Sequence, residues 1–440
     1  VSRTSAAVPR AARTIGALAL LQLAMPANLA LTSLALLLGG RDPQPSPEGE
    51  RLTILISGGK MTKALTLARA FHRAGHRVVL VEQEKYRWTG HRFSRCVDVF
   101  RTVPRPQDPG YAEALLDVVR QESVDVYVPV CSPVASYHDA AAAPLLEAHC
   151  RVIHADAETI KTLDDKEALA ALAAGLGLSV PDAHRMTSPE QVAAFDFASA
   201  DPPYVLKSIA YDPVNRLDLT PLPRPTPEAT AAFARSKPIT AETPWVMQHL
   251  VEGVEYCTHS TVVEGRIQVW ACCPSSAFQV NYAMVDKPEI LAWVRGLVEP
   301  LGLTGQISFD VMQTPDGRVL PIECNPRTHS AITMFYDHPD LAEAYLGRRE
   351  EPVVPTVASR PTYWAYHEAW RLLRAPGSWR ERWRTVREGV DAVFDPRDPL
   401  PFLMLHHLQI PALLLQNLVA GRDWVKIDFN IGKLVEPAGD

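Results

Sequence analysis

At 440 residues the chain is too long for one compact core, which predicts two or three packed units with a cleft between them. A formal net charge of −6 and an isoelectric point near 6.2 leave no basic field for a polyanion, so no nucleic-acid partner is expected. The seven cysteines (Cys96, Cys131, Cys150, Cys257, Cys272, Cys273, Cys324) show no CxxC spacing, which argues against a disulfide framework or a zinc ribbon and fits a reducing cytoplasm.

In chain order the first predicted element is an apolar helical segment over residues 1–45. Arg3, Arg10 and Arg13 precede an almost uncharged run at 15–40 that is long enough to span a bilayer, although Gln22, Pro26 and Asn28 interrupt it. Membrane segment and signal peptide compete there, and the unpaired cysteines disfavour secretion. A Pro-rich connector at 42–50 leads into a strand at 52–56 closed by Ser57, Gly58 and Gly59. Ala64, Leu67, Ala68 and Phe71 then have helical spacing, with Gly75 as the stop. Further strand runs at 77–82 and 124–130 imply an open parallel sheet. Neither GxxxxGK[ST] nor GxGxxG occurs, which removes a Walker-type ATPase and a dinucleotide enzyme.

From about residue 155 the pattern changes. One helix is predicted over 157–176, followed by strands at 204–207, 245–248, 256–263, 266–273, 306–312 and 318–323, an α+β region with antiparallel signals. The aromatic group Tyr363, Trp364, Tyr366 and Trp370 has helical spacing and is expected in the core. A second apolar stretch at 400–420, broken by Pro401 and Pro411 around His406 and His407, predicts an interrupted helix. Packing of the two apolar segments on each other, contact between copies of the chain, peripheral membrane attachment and a true membrane span are the readings for these ends.

The chemistry concentrates around Asp310 and the run Glu323-Cys324-Asn325-Pro326-Arg327, with Asp316 and Gly317 as a hairpin turn. Strand alternation puts Glu323 and Asn325 on one face, and a paired strand lets Asp310 join them. Three oxygen donors suit magnesium, which takes a few protein oxygens together with nucleotide phosphates and water. Arg327 falls on the same face, where it could neutralise a transferring phosphoryl group or a substrate oxyanion.

This Asp then Glu-x-Asn pattern resembles the ATP-grasp family. The resemblance implies an ATP-grasp fold at 158–345, with a smaller subdomain at about 183–250, behind a Rossmann-like domain at 50–157 and ahead of a mainly helical region at 346–440. It implies ATP and Mg2+, with Mn2+ as a substitute, and metal ligands Asp310, Glu323 and Asn325. Lys166 and Lys207 correspond to the family's phosphate-binding lysines. His249 and Val251 would read the adenine through backbone groups, Gln248 would approach its amino group, and Glu255 would take the ribose hydroxyls. The loop after Lys207 lacks the family's glycines, and Arg216 is expected to supply charge in their place.

The runs Ile56-Ser57-Gly58-Gly59-Lys60-Met61-Thr62-Lys63, Thr89-Gly90-His91-Arg92-Phe93-Ser94, Gly305-Gln306-Ile307-Ser308-Phe309-Asp310, Glu323 through Ser330, and Asp428-Phe429-Asn430-Ile431-Gly432-Lys433-Leu434 are similar to the mycosporine-glycine synthase family. That resemblance implies a ligase of mycosporine-like amino acid biosynthesis, a route to ultraviolet protection. Its substrates would be 4-deoxygadusol and glycine, and its products mycosporine-glycine, ADP and phosphate. Lys207 and Arg327 would stabilise charge during transfer, His329 would accept the amine proton, and Thr328, Ser330 and Tyr282 would touch substrate. An ordinary carboxylate–amine ligase and a non-catalytic nucleotide-binding scaffold are the alternatives.

Overall fold

The computed structural model describes residues 10–40, 49–130, 132–200, 203–209, 215, 218–275 and 281–436. Helix α1 (Arg10–Leu38) comes first, then a five-stranded parallel sheet of order β3-β2-β1-β4-β5. Its strands are β1 (Thr53–Ile56), β2 (Arg77–Gln83), β3 (Val99–Val103), β4 (Val126–Val128) and β5 (Arg151–Val152). The run expected at 124–130 pairs only over its middle. Ile54, Leu55 and Ile56 are all fully buried because both faces of the sheet are covered. Ile54 and Ile56 pack with helix α2 (Thr62–Arg73), while Leu55 packs with α3 (Tyr111–Glu122) and α4 (Pro133–Leu146). Gly58 has φ +68°, and a Cβ there would collide with the Val130 carbonyl, so only glycine fits the β1–α2 turn.

The helix expected over 157–176 is in fact two, α5 (Ala157–Asp164) and α6 (Lys166–Gly175). Asp165 takes extended backbone between them, and its carboxylate accepts from the N–H groups of Glu167 (2.9 Å) and Ala168 (3.1 Å). A continuous apolar period hid this cap, whose effect is to place Lys166 at the first position of a helix.

A small antiparallel sheet of order β6-β8-β7 follows, made of β6 (Ala183–Met186), β7 (Tyr204–Ser208) and β8 (Trp245–His249). Helices α7 (Pro189–Ala193) and α8 (Pro227–Arg235) accompany it, and Tyr204, Leu206, Trp245 and Met247 form its core. The larger antiparallel sheet, of order β10-β9-β11-β12, comprises β9 (Val254–Val263), β10 (Arg266–Pro274), β11 (Gly305–Gln313) and β12 (Val319–Asn325). Helix α9 (Pro288–Val298) packs on it, with Trp293 edge-on to Phe309 at 5.3 Å.

The C-terminal region is mainly helical. Its apolar stretch is a continuous helical path over Leu400–Val419 that widens into one π-helical turn at Leu405–Gln409, so the two prolines do not stop the helix. Helix α1 lies against it. Among the described residues these are the two helices long and apolar enough to cross a membrane. The six described cysteines are buried and free.

Candidate active site

The two antiparallel sheets, the start of α6 and the C-terminal region enclose one cavity of about 1930 Å3. At one end the β11–β12 pairing sets Asp310 opposite Glu323 and Ser308 opposite Asn325, so all four side chains share a face. Asn325 Nδ2 lies 3.4 Å from Asp310 Oδ2, and the Arg327 guanidinium donates to Asn325 Oδ1. The three expected oxygen donors therefore gather. Among the described residues no three His, Cys, Asp or Glu side chains cluster elsewhere or here, so a metal at this point would need the Asn325 amide oxygen as its third protein ligand.

Two lysines face the carboxylates. Lys166 Nζ stands 3.7 Å from Glu323 Oε1, and Lys207, at the end of β7, donates to Gln248 Oε1 at 3.0 Å. Burial pulls the Lys207 ammonium below the ordinary lysine range, against the opposing pull of Glu323 and Asp310. Burial, and then the charges of Glu323 and Glu255, push the Asp310 carboxyl up to about 7. A divalent cation would relieve that crowding of negative charge, so the donor set fits one. Glu255 is pinned by the Ser275 hydroxyl at 2.7 Å and also lines the cavity.

Of the segment expected to read the nucleoside, only Glu255 lines the cavity. Gln248, His249 and Val251 do not line the cavity. Gln248 is buried and holds Lys207, the His249 N–H is committed to the Asp182 carbonyl at 2.8 Å, and Val251 is buried. Arg216 lies outside the described residues.

At the other end, His329 is corrected as a proton acceptor. Its Nδ1 accepts the Ala331 N–H at 3.2 Å and caps the turn Ser330–Phe335, so the neutral ring carries its proton on Nε2 and is a donor there. Burial, then the charges of Lys63 and Arg327, push its pKa down to about 3, which disfavours the imidazolium. Thr328, Tyr282 and Ser330 all line the cavity, and the Thr328 hydroxyl donates to Gln306 Oε1 at 2.6 Å.

The sequence reasoning missed several lining residues. Lys63 reaches from the first turn of α2 to the Thr328 carbonyl, bringing a cation from the parallel-sheet unit into the cavity. Asn430 closes the far wall. Its carbonyl accepts the Thr62 N–H at 2.8 Å, its Nδ2 donates to Ser330 Oγ at 2.7 Å, and its Oδ1 is buried without a hydrogen-bond partner among the described residues. Tyr363 and Trp364 are buried, Trp364 in the main core with Tyr366 packed against it, as expected, while Trp364, Tyr366 and Trp370 also line this end of the cavity and Trp370 is 46% exposed. Both Lys63 and Asn430 stand in runs that carried the family resemblance, which was the one signal for them.

No protein-family model and no curated protein matches the chain. Solved structures do. N5-carboxyaminoimidazole ribonucleotide synthetase in its ADP complex is 17% identical with a TM-score of 0.55, covering 76% of this chain and 86% of its own. The ADP complex of N5-carboxyaminoimidazole synthetase from Staphylococcus aureus is 14% identical with a TM-score of 0.52, covering 73% and 82%. Biotin carboxylase from Campylobacter jejuni, bound to an ATP analogue, is 15% identical with a TM-score of 0.51, covering 67% and 72%. At such identities the likeness concerns architecture, and it establishes that a parallel sheet followed by two antiparallel sheets around one cavity is here an ATP-grasp fold.

Proposed function

We propose that this protein is an ATP-dependent, ADP-forming ligase that phosphorylates the enolic oxygen of 4-deoxygadusol and lets the amine of glycine displace it, giving mycosporine-glycine. The observation that carries the reading is the convergence of Asp310, Glu323 and Asn325 with Lys166, Lys207 and Arg327 at one end of a single cavity. That donor set suits Mg2+, or Mn2+, which when bound would offset phosphate charge and orient the triphosphate.

The chain's own residues have separate tasks. Lys166 and Lys207 hold the α and β phosphates, with Gln248 fixing the direction of Lys207. Arg327 follows the transferring phosphoryl group. In 4-deoxygadusol the enolic hydroxyl is conjugated to a ketone, a vinylogous acid whose hydroxide leaves poorly. The enolic oxygen, having lost its proton, bonds to the γ-phosphorus as the bond from that phosphorus to the β–γ bridging oxygen breaks, and ADP departs with the electron pair. The neutral glycine nitrogen then bonds to the same ring carbon, the C–O bond breaks, phosphate departs with the electron pair, and the nitrogen sheds a proton to give the enaminone. Preorganised charge and position supply the catalysis.

The narrower substrate reading is supported by the far end of the cavity. Hydroxyls and amides of Tyr282, Ser330 and Asn430, the Lys63 ammonium and the flat faces of Trp364 and Tyr366 suit a planar ring rich in oxygen. The His329 Nε2–H is a donor for its ketone, which withdraws electrons from the carbon attacked.

Incubation with ATP, Mg2+, 4-deoxygadusol and glycine is expected to release ADP and to produce a new enaminone absorption band. ADP release with a carboxylate and an amino acid, and none with 4-deoxygadusol, would instead identify an ordinary carboxylate–amine ligase. No ADP release with any acceptor would identify a nucleotide-binding scaffold. The same reading puts the chemistry in the cytoplasm, with α1 as a contact to a membrane or to a second copy of the chain.

A further inference from the structure

Helix α1 is built inside out. Its inward stripe is Thr14, Leu21, Asn28, Thr32 and Ala35, a heptad spacing in which three of five side chains are polar. Those polar groups are satisfied by the protein: Thr14 Oγ1 accepts from Trp424 Nε1 at 3.0 Å, Asn28 donates to the Tyr366 hydroxyl at 2.9 Å, and Thr32 donates to Asn28 at 3.1 Å. Most of its leucines point away. Leu23 is 78% exposed and Leu37 82%, with Ile15, Leu29, Leu34 and Leu38 also exposed. At 100° per residue these positions cover an arc of roughly 200°. A helix in water does the reverse, and polar-in, apolar-out is the order imposed by lipid.

The C-terminal region carries a second anomaly. The helix Trp379–Glu388 buries none of its residues, and it exposes Trp379 and Trp383. Between residues 370 and 388 there are six arginines against two glutamates. Arg371 and Arg382 are tied to Glu368, while Arg374, Arg380, Arg384 and Arg387 are exposed. The Asn28–Tyr366 bond joins α1 to the helix Ala365–Arg374, and residues of α1, of that helix and of the helix Trp379–Glu388 line one cavity.

We infer that α1, with the helices Ala365–Arg374 and Trp379–Glu388, docks on an anionic lipid bilayer. The leucines of α1 enter the acyl boundary, the tryptophans sit at headgroup level, and the arginines meet lipid phosphates. The helix lies along the surface, because bonds to Trp424 and Tyr366 hold it on the protein. A second copy is the poorer occupant: a two-fold contact through this patch would bring the exposed arginines of both copies into one interface. The inference rests on reading α1 as a contact surface and makes no use of the ligase reaction. Because α1 and Trp370 also line the cavity, its open side would face the bilayer.

Sedimentation of the full chain with vesicles tests this. Pelleting is expected with phosphatidylcholine vesicles containing phosphatidylglycerol, much less with phosphatidylcholine alone, and less in high salt. The triple variant R380Q/R384Q/R387Q, with unchanged circular dichroism, should bind the anionic vesicles about 100-fold more weakly. Serine in place of Leu23, Leu34 and Leu37 should abolish pelleting with both. Equal binding to neutral and anionic vesicles, or an arginine variant that binds like the parent, would overturn the anionic-lipid assignment. Absence of any vesicle binding together with a dimer in sedimentation velocity would hand the α1 face to a second copy. Neither readout involves ATP, so failure of the ligase proposal leaves this test intact.

Discussion

The two ends of the cavity are made in opposite ways. At the end proposed to hold phosphates, the donor set Asp310, Glu323 and Asn325 comes from two neighbouring strands whose register brings it together, and only the lysines Lys166 and Lys207 reach it from other elements, α6 and β7. At the acceptor end, Lys63 arrives from α2, Tyr282 from the segment after β10, His329 and Ser330 from the turn after β12, and Trp364 and Asn430 from the C-terminal region. A local register is fixed by alternation and one turn, whereas a wall gathered from five segments depends on how whole units pack. The first kind of site is therefore the more robust to sequence change in the scaffold, and the second is where substrate choice can be altered without touching nucleotide chemistry.

The sharpest way to break that contrast is Glu323→Gln. It keeps the strand and its volume but removes a charge from the donor set, so the rate of ADP release should fall about 1000-fold or more, with fold retained by circular dichroism. A loss below tenfold would mean that the three donors do not act as a unit.

His329 gives the next largest effect, and on stability. Its pKa is about 3 in the folded chain against 6.5 for an ordinary histidine. As pH falls below 6.5 the unfolded chain takes up a proton that the folded ring refuses, so stability is lost as pH drops from 6.5 toward 3. At pH 5 this one group costs about 2 kcal/mol. His329→Gln should remove that part of the acid sensitivity, so its destabilisation at pH 7.5, from the weakened cap, should shrink or reverse in urea denaturation at pH 5. The pH–rate profile should keep its shape, since the ring is not the base.

Asn430→Ala sharpens the comparison at the acceptor end. It deletes the buried Oδ1 and the bond to Ser330, both remote from the phosphate lysines. The acceptor KM should rise about tenfold while the KM for ATP is unchanged. Equal rises in both would show that the two ends are one coupled structure.

What was legible in the sequence follows the same division. The parallel sheet, the β11–β12 pair and the facing of Asp310 with Glu323 and Asn325 all follow from periods of two and 3.6 and from turn residues. Lys63 and Asn430 have no local signature, because a lysine in a first helical turn and an asparagine in a tail gain meaning only from the Thr62–Asn430 and Lys63–Thr328 contacts. The His329 error has a related cause: composition identifies a titratable ring, but only geometry shows that Nδ1 is already a cap.

The smallest predicted effect joins both kinds of legibility at one residue. Asp165 interrupts an apolar period that would otherwise run on as a single helix, and its two N–H acceptances start α6 so that Lys166 projects toward Glu323. Its replacement by alanine removes a cap and permits α5 and α6 to merge. Stability to urea should fall by about 1 kcal/mol. If the break is what aims Lys166, ADP affinity should drop severalfold as well, because a merged helix would rotate the lysine away from the carboxylates. A stability loss without any change in ADP affinity would mean that the β12 strand alone positions the phosphate end, making it more local still than its register implies.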